Sequence, residues 1–141
     1  MSYDLMVFRK EAAPKKRIDF LEWYKKQIEW SEGYSYDDSS NTSPELRNWY
    51  IEMKQIFPPM NGPDAPTDKE WDKLEKQGLD SYATDYVISG DFIYAAFAWS
   101  VAKEAYKTMY KFAEKYEVGF FDVSSESGNI FFPENGKLKK I

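Results

Sequence analysis

The spacing of apolar residues divides this chain of 141 residues into strand-like and helix-like stretches. The run YDLMVF at 3–8 is rich in β-forming residues and predicts a first strand. Between 12 and 78 the apolar positions recur with helical spacing, which predicts a mostly helical region. From 82 to 133 the pattern predicts a hairpin, a helix and a second hairpin. We expect these parts to form one domain over residues 1–141, because this length suits a single core.

Three helices are predicted in the helical region. The first covers RIDFLEWYKKQIEW, where Leu21, Tyr24 and Ile28 share one face. The second, TSPELRNWYIEMKQIF, has a serine N-cap and a proline in its first turn. Its apolar stripe, which we expect to face the core, consists of Leu46, Trp49, Tyr50, Met53, Ile56 and Phe57. The third helix is short and follows the capping-box sequence TDKE.

Two hairpins are predicted after the helical region. DYVI and FIYAAFAW flank the turn SGD, and the second run is apolar on both faces, as expected of a central strand. VGFFDVS and NIFF flank SESG and predict the second hairpin. Pro133 is expected to end that ladder, because proline has no N–H to donate. The tail ENGKLKKI is expected to fray.

In chain order these elements give β-α-α-α-β-β-α-β-β. Without the two extra helices the order is β-α-β-β-α-β, the split βαβ arrangement of ferredoxin-like domains, with one strand added. We therefore predict an α+β fold. It is a ferredoxin-like antiparallel sheet with helices on one face and a helical insertion in the first crossover.

The composition limits what this fold can do. Aromatic residues make up 18% of the chain, and we expect some of them on the surface. Cysteine and histidine are absent, which excludes disulfides, thiol or histidine catalysis, and metal sites built on those side chains. The formal net charge of −5 favours a basic protein partner and argues against nucleic acid, whose phosphates would be repelled.

Targeting and cofactor signals are missing from the sequence. The start, MSYDLMVFRK, lacks the apolar run of a signal peptide, and no segment reaches the roughly 20 apolar residues that span a bilayer. We therefore expect no membrane association and a cytoplasmic location. No cofactor is predicted, because GFFDVSSESG lacks the lysine and the glycine spacing of nucleotide-binding loops.

The stretch IFPPMNGPDAP at 56–66, called the proline-rich loop below, allows two interpretations. In the first it is structural: the prolines stop a helix, NG forms a turn, and Phe57 and Met60 fold back onto the core. In the second it is a rigid lip over a cleft, which presents Asn61 and Asp64 at low entropic cost. Both interpretations are open at this point.

The segment WSEGYSYDD at 30–38 combines aromatic rings with two adjacent carboxylates. It lacks the D-x-D-x-D-G spacing of a calcium loop, so we predict no metal site. One interpretation is a solvated loop with local turns, and the other is a surface that binds a basic protein. The predicted partner-binding residues are Trp30, Tyr34, Tyr36, Asp37 and Asp38, with Asn61 and Asp64 beside them.

An acid–base enzyme would need two carboxylates with separated pKa values in one pocket. Several Asp and Glu residues qualify by type, but no spacing selects a pair, so no catalytic residue is assigned. Asp122 interrupts the apolar run GFFDVS. It is predicted to lie either on the solvent face or buried with a partner.

Four stretches together resemble a group of small uncharacterised bacterial proteins. They are YDLMVF at the start, FPPMNGP in the middle, and IYAAFAW and GFFDVSS near the end. The resemblance covers nearly the whole chain. It implies a compact bacterial domain and carries over no activity and no functional residue.

These observations favour a small acidic protein-binding domain without enzymatic activity, most concretely a bacterial immunity protein or antitoxin-like inhibitor of a basic partner. The alternative is a small-molecule-binding domain or a carboxylate-based enzyme. Its pocket would lie between the sheet and the inserted helices, closed by the proline-rich loop. Homodimerisation through an exposed aromatic patch is a third hypothesis.

Overall fold

The computed structural model describes residues 2–29 and 36–141. Four α-helices and six strands follow one another in these residues. They are β1 (Tyr3–Phe8), α1 (Arg17–Gln27), α2 (Pro44–Ile56), α3 (Asp68–Lys76), β2 (Asp85–Ile88), β3 (Phe92–Phe97), α4 (Ala102–Tyr116), β4 (Gly119–Phe121), β5 (Ile130–Glu134) and β6 (Lys137–Lys140). The predicted first strand and both strands of the first hairpin are confirmed.

The strands form one antiparallel sheet in the order β2-β3-β1-β4-β5-β6. β1 lies inside the sheet, so that Val7 has Ile93 of β3 on one side and Phe120 of β4 on the other. Residues 5–8 of β1 are fully buried, as expected of a strand that is covered on both faces. The predicted α+β class with an antiparallel sheet is confirmed.

Helices cover both faces of this sheet. On one face, Val7 belongs to the same buried cluster as Trp49 of α2 and Met109 of α4. On the other face, the ring of Phe8 packs against Phe20 of α1 with centroids 5.0 Å apart. The expectation that the helices lie on one face is therefore wrong for α1. The physical reason is that β1 is apolar at successive positions, so both of its faces need an apolar cover.

The three helices α1, α2 and α3 all lie between β1 and β2 in the chain. α2 is the core helix among them, and its buried residues are Leu46, Trp49, Tyr50 and Met53. Ile56, which the predicted stripe included, is instead 42% exposed. α3 contributes no fully buried residue, and its predicted capping box between Thr67 and Glu70 is confirmed. α3 therefore lies at the periphery, where it can form one wall of a cleft.

The C-terminal tail forms a strand instead of fraying. Asn135 and Gly136 have φ values of 54° and 78°, the left-handed values of a two-residue hairpin turn that Asn-Gly adopts readily. The turn joins β5 to β6, and Pro133 pairs with Leu138 in this additional ladder. The β4–β5 ladder, which Pro133 was expected to end, pairs Phe120 with Phe131 and Phe121 with Ile130 and so stops before Pro133. Leu138 is 8% exposed and joins the core. The pair NG in ENGK is the sequence signal for this hairpin.

Candidate functional site

Those of the predicted partner-binding residues that the structure describes fall in two segments beside β2. Trp30 and Tyr34 lie outside the described residues. The carbonyl of Tyr36 accepts the backbone N–H of Ile88 at 2.6 Å, so Tyr36 lies at the outer edge of β2. The second segment is the proline-rich loop, which contacts the start of the same strand through Thr84.

Asp38 is engaged in local structure. Its Oδ1 accepts hydrogen bonds from the backbone N–H of Ser40 at 2.9 Å and from the Ser40 hydroxyl at 2.8 Å. These bonds cap a short 3-10 helix, Ser39–Asn41. They hold the pKa of Asp38 below its ordinary value, and Arg47 contributes in the same direction. The capping role therefore accounts for the position of the Asp38 carboxylate, and no binding partner is needed to explain it.

Asp37 packs against the proline-rich loop. A Cβ added to Gly62 would lie 2.8 Å from both the Cβ and the carbonyl oxygen of Asp37, closer than such atoms approach. Gly62 also has a φ of 87°, which favours glycine. The two predicted segments therefore contact each other where Gly62 packs closely against half-buried Asp37.

The proline-rich loop is held against β2 by its backbone. The Pro58 carbonyl accepts the N–H of Thr84 at 2.8 Å, and the Thr84 carbonyl accepts the N–H of Met60 at 2.9 Å. The buried hydroxyl of Tyr86 donates to the carbonyl of Phe57 at 2.7 Å. Phe57 is buried as predicted, but Met60 is 51% exposed. The expectation that Met60 folds back onto the core is therefore wrong.

The two loop residues predicted to face a partner have different surroundings. Asn61 is exposed. Asp64 is half-buried, accepts a hydrogen bond from the Tyr50 hydroxyl at 3.3 Å, and pairs with Lys54 at 3.3 Å. Burial, and next the charge of Asp64, raise the pKa of Tyr50 above its ordinary value. Asp64 thus joins the loop to α2.

A cleft of about 820 Å³ opens beside the proline-rich loop. Its other walls are the end of α2, α3, a 3-10 turn at Asp80–Tyr82 and the start of α4. Pro58, Asp64 and Pro66 form the side contributed by the loop. The loop thus has both predicted features, since it is anchored to the fold and it borders a cleft.

The cleft combines exposed aliphatic side chains with charged ones. Ile56 and Leu79 line it and are 42% and 41% exposed. Beside them lies Glu104, which accepts a hydrogen bond from the Tyr82 hydroxyl, and this bond is the main cause of a raised pKa of Tyr82. Lys73 also lines the cleft. Aliphatic surface surrounded by polar groups is the usual composition of a protein interface.

Sequence reasoning missed most of the residues that line the cleft. Ile56 was part of the predicted core stripe, while Leu79, Tyr82 and Glu104 carried no signal of their own. They come from α2, the segment after α3, and α4, which are brought together only by the fold. The one usable signal was the proline-rich loop, which forms the rim.

Asp122 is buried and does not lie on the solvent face. It follows the last residue of β4 and is 9% exposed. The hydrogen bond from its backbone N–H to the Asn129 carbonyl, at 3.0 Å, holds it in place. A backbone hydrogen bond from Ser125 lowers the pKa of the carboxyl, but burial is the larger effect and raises it. Among the described residues, its Oδ1 has no hydrogen-bond partner.

Comparisons with protein-family models, with curated proteins and with solved structures found no match to this chain. Over residues 2–29 and 36–141, no helix is both long and apolar enough to cross a membrane. In the same part of the chain, no three acidic side chains converge in a way that could hold a metal ion. The cleft is a feature from which a function can be argued.

Proposed function

We propose that this protein is a protein-binding domain and that the cleft receives part of its partner. The observation that carries the proposal is the exposure of two aliphatic side chains, Ile56 and Leu79, inside a cavity of about 820 Å³. Burial of such surface against a partner is favourable, and apolar surface with a polar surround is typical of interaction sites. The hydrogen bonds that anchor the proline-rich loop reduce the entropy lost on binding.

The proposed partner is a basic protein. The cleft itself has mixed charge, because Lys54 and Lys73 line it together with Asp64, Glu70 and Glu104. The attraction therefore comes from the net charge of −5 on the whole chain, which steers a positively charged protein towards it. Within this class we propose a bacterial immunity protein or antitoxin-like inhibitor. The small acidic chain and the bacterial resemblance support this form.

A small-molecule ligand is the second candidate. The volume of about 820 Å³ lies within the roughly 300–1,000 Å³ that is common for ligand pockets. Such pockets bury most of the ligand surface among apolar side chains. The solvent exposure of Ile56 and Leu79 favours the larger partner over this alternative.

The finer fold assignment, a ferredoxin-like sheet, is also a proposal. The order β2-β3-β1-β4 within the sheet, with helices in both crossovers, supports the split βαβ arrangement. Two of the three helices between β1 and β2 are then the insertion in the first crossover. The position of α1 on the opposite face departs from the predicted one-sided arrangement.

A matched pair of substitutions on α2 tests the protein-binding proposal. Ile56→Glu places a charge in the cleft. Ile51→Glu places the same charge on the same helix, at a residue that is 41% exposed and does not line the cleft. Wild type and both variants are tagged and used to retain proteins from a lysate of the natural source. A protein retained by the wild type is then purified and titrated against all three.

We expect the retained protein to bind wild type and Ile51→Glu equally and Ile56→Glu at least tenfold more weakly, a loss of about 1.4 kcal/mol. Equal affinity for the two variants would contradict the cleft as the binding surface. If the wild type retains no protein, the protein-binding proposal fails. A thermal-shift screen of metabolites, with Ile56→Glu as the control, then tests the second candidate.

A further inference from the structure

A groove separate from the cleft runs along α4. Its cavity of about 480 Å³ is lined by the half-buried rings of Tyr106, Tyr110 and Phe131. The rings of Tyr106 and Tyr110 stack with centroids 6.1 Å apart, and Tyr110 meets Phe131 edge-on at 5.5 Å. Contacts at these distances are typical of packed aromatic pairs. The rings therefore form a well-packed apolar floor that a ligand can reach.

The groove adjoins β6, the strand at one edge of the sheet. Phe131 lines the groove and pairs with Lys140 of β6. Side chains of directly paired residues lie on the same face of a sheet, so Lys140 stands beside the groove. Glu114, which also lines the groove, accepts the backbone N–H of Leu138 at 3.0 Å through its Oε2. The groove and the edge strand therefore form one continuous surface.

Part of the backbone of β6 faces outward from the sheet. The N–H of Ile141 donates to the Ile130 carbonyl at 2.9 Å, which makes Lys140 a member of a non-hydrogen-bonded pair. In that register the N–H and C=O groups of Leu138 and Lys140 point away from β5. Glu114 takes the N–H of Leu138. The Leu138 carbonyl and both backbone groups of Lys140 therefore face the free edge.

The opposite edge of the sheet is covered. At β2 the Tyr36 carbonyl accepts the N–H of Ile88, and the proline-rich loop forms hydrogen bonds with Thr84. An uncovered edge strand is a template for pairing with another chain, and proteins commonly cover such edges. Within the described part of the chain, the edge at β6 is therefore the place where a strand from a partner can add.

This surface is basic, although the whole chain carries a net charge of −5. The exposed lysines of the groove and of β6 are Lys107, Lys111, Lys137, Lys139 and Lys140. The carboxylates of the groove and of the β5–β6 hairpin are Glu114 and Glu134. Glu114 is bound to the β6 backbone, and Glu134 pairs with Lys139 at 3.3 Å. The remaining positive charge of this surface favours an acidic occupant.

We propose that the groove and the free edge of β6 bind an extended segment of a protein partner in which acidic and apolar residues alternate. The segment adds a strand to β6, and main-chain hydrogen bonds hold it there. Side chains of a strand alternate between its two faces. Those on the face of Leu138, which joins the core cluster that contains Met109 of α4, enter the groove. Those on the other face meet Lys137 and Lys139.

The site at β6 lies apart from the cleft, and the two cavities share no lining residue. It goes beyond the proposed function of the cleft, because it takes a segment whose charge is opposite to that of the proposed basic partner. Its test uses synthetic peptides and does not depend on the cleft.

Two other occupants fit this surface less well. A second copy that paired through the same edge would set the lysines of β6 against one another, and like charges across a strand pair are unfavourable. A single-stranded nucleic acid would use the rings and the lysines, but the net charge of the chain would repel its phosphates. An acidic peptide segment uses the rings, the lysines and the outward backbone groups together.

The test uses short synthetic peptides and NMR detection. Acetyl-Glu-Leu-Glu-Leu-Glu-amide, the acidic peptide, is titrated into the full protein, and the backbone amide signals of the protein are followed. One control peptide has Lys in place of each Glu, and the other has Ser in place of each Leu. We expect saturable binding of the acidic peptide and at least tenfold weaker binding of each control peptide. An oligothymidylate of similar length should not saturate the protein.

Two double variants with the same change in charge locate the site. Lys137→Gln/Lys139→Gln removes the exposed lysines that face the added strand. Lys25→Gln/Lys26→Gln removes two exposed lysines near the end of α1, where Ile28 lines a separate cavity beside β2. We expect the first variant to bind the acidic peptide at least fivefold more weakly and the second to bind it like the wild type. The dispersion of the amide signals of each variant verifies that it is folded.

Hydrogen exchange separates strand addition from the attraction of charges alone. At saturating acidic peptide, the outward amide of Lys140 should exchange at least tenfold more slowly. The amide of Lys139 points towards its paired residue Phe132 and should exchange at an unchanged rate.

Unchanged exchange at Lys140, or an acidic peptide that does not saturate the protein, would overturn the proposal. Equal or tighter binding of either control peptide or of the oligothymidylate would overturn it as well, and so would wild-type affinity in Lys137→Gln/Lys139→Gln.

Discussion

Two residues at the ends of β4 show how closely single positions are determined in this protein. Gly119 pairs with Phe8 across the sheet, and an added Cβ would lie 2.1 Å from ring atoms of Phe8. Asp122, just past the other end, is buried although its Oδ1 has no hydrogen-bond partner in the described part of the chain. The sequence predicted the strand between them from its apolar run. It could not predict these contacts, because both depend on which residues lie on neighbouring elements.

Replacing Asp122 by Asn should stabilise the protein at neutral pH. Burial raises the pKa of Asp122 above its ordinary value of 3.8. The protonated carboxyl group is thus favoured in the folded protein. Its contribution to the stability of the wild type is fully present below pH 3.8 and is lost as the pH rises through the raised pKa. The gain in free energy of unfolding from Asp122→Asn should be small near pH 3 and largest above the raised pKa. Urea denaturation of both proteins across this pH range measures it.

If the gain in free energy of unfolding does not increase with pH, ionisation of the Asp122 carboxyl group does not destabilise the folded protein. Asp85→Asn is the control for the general effect of removing one negative charge. Because Asp85 is exposed, we expect the free energy of unfolding of this variant to follow that of the wild type across the pH range.

Substituting Gly119 by Ala should destabilise the protein by about 3 kcal/mol, because the new methyl group overlaps the buried ring of Phe8. Gly90→Ala is the matched control. A Cβ at Gly90 would lie 3.8 Å from its nearest neighbour, and the expected loss is below about 1 kcal/mol. Thermal and urea denaturation compare the two variants. Similar losses for both would mean that Phe8 can move aside.

At the scale of elements, local patterns predicted the helices and strands better than their arrangement. β1, α2 and the capping box of α3 follow from apolar spacing and capping residues. The side of the sheet on which α1 packs did not follow, because apolar spacing identifies a buried face without naming the surface that covers it. β6 was not predicted, because the polar tail ENGKLKKI was expected to fray. The Asn135-Gly136 turn within it is the signal that indicates the hairpin.

The proline-rich loop depends on one buried hydrogen bond from β2. Tyr86→Phe removes the donor to the Phe57 carbonyl and leaves that carbonyl unpaired in the interior. We expect a loss of about 1–2 kcal/mol in the free energy of unfolding. Faster hydrogen exchange at the amides of Met60 and Thr84 should accompany it, because their hydrogen bonds hold the same loop.

Tyr82→Phe is the control for this prediction. It removes a hydroxyl that bonds to the exposed Glu104, where water can replace the lost hydrogen bond. Exchange at Met60 and Thr84 should stay at the wild-type rate in this variant. A Tyr86→Phe protein with unchanged exchange at both amides would show that the loop is held by its backbone alone.

For the whole molecule, the cleft is a product of the topology. The cleft gathers side chains from α2, α3 and α4 at the rim formed by the proline-rich loop. Asp37 and Asp38 are predicted to bind a partner because they are adjacent carboxylates beside aromatic residues. In the fold, Asp38 caps a short 3-10 helix. Segments far apart in sequence meet at the cleft, so no local pattern could have located it.

The most direct measurement of whether the cleft binds a partner is site-specific photo-crosslinking in cells of the natural source. A benzoylphenylalanine residue is introduced at Leu79 inside the cleft in one protein, and at Ile51, an exposed residue of α2 that does not line the cleft, in another. We expect a covalent adduct with one protein from position 79, absent from position 51 and lost when Ile56→Glu is added. Adducts of equal yield from both positions, or none from position 79, would contradict a protein-binding role for the cleft.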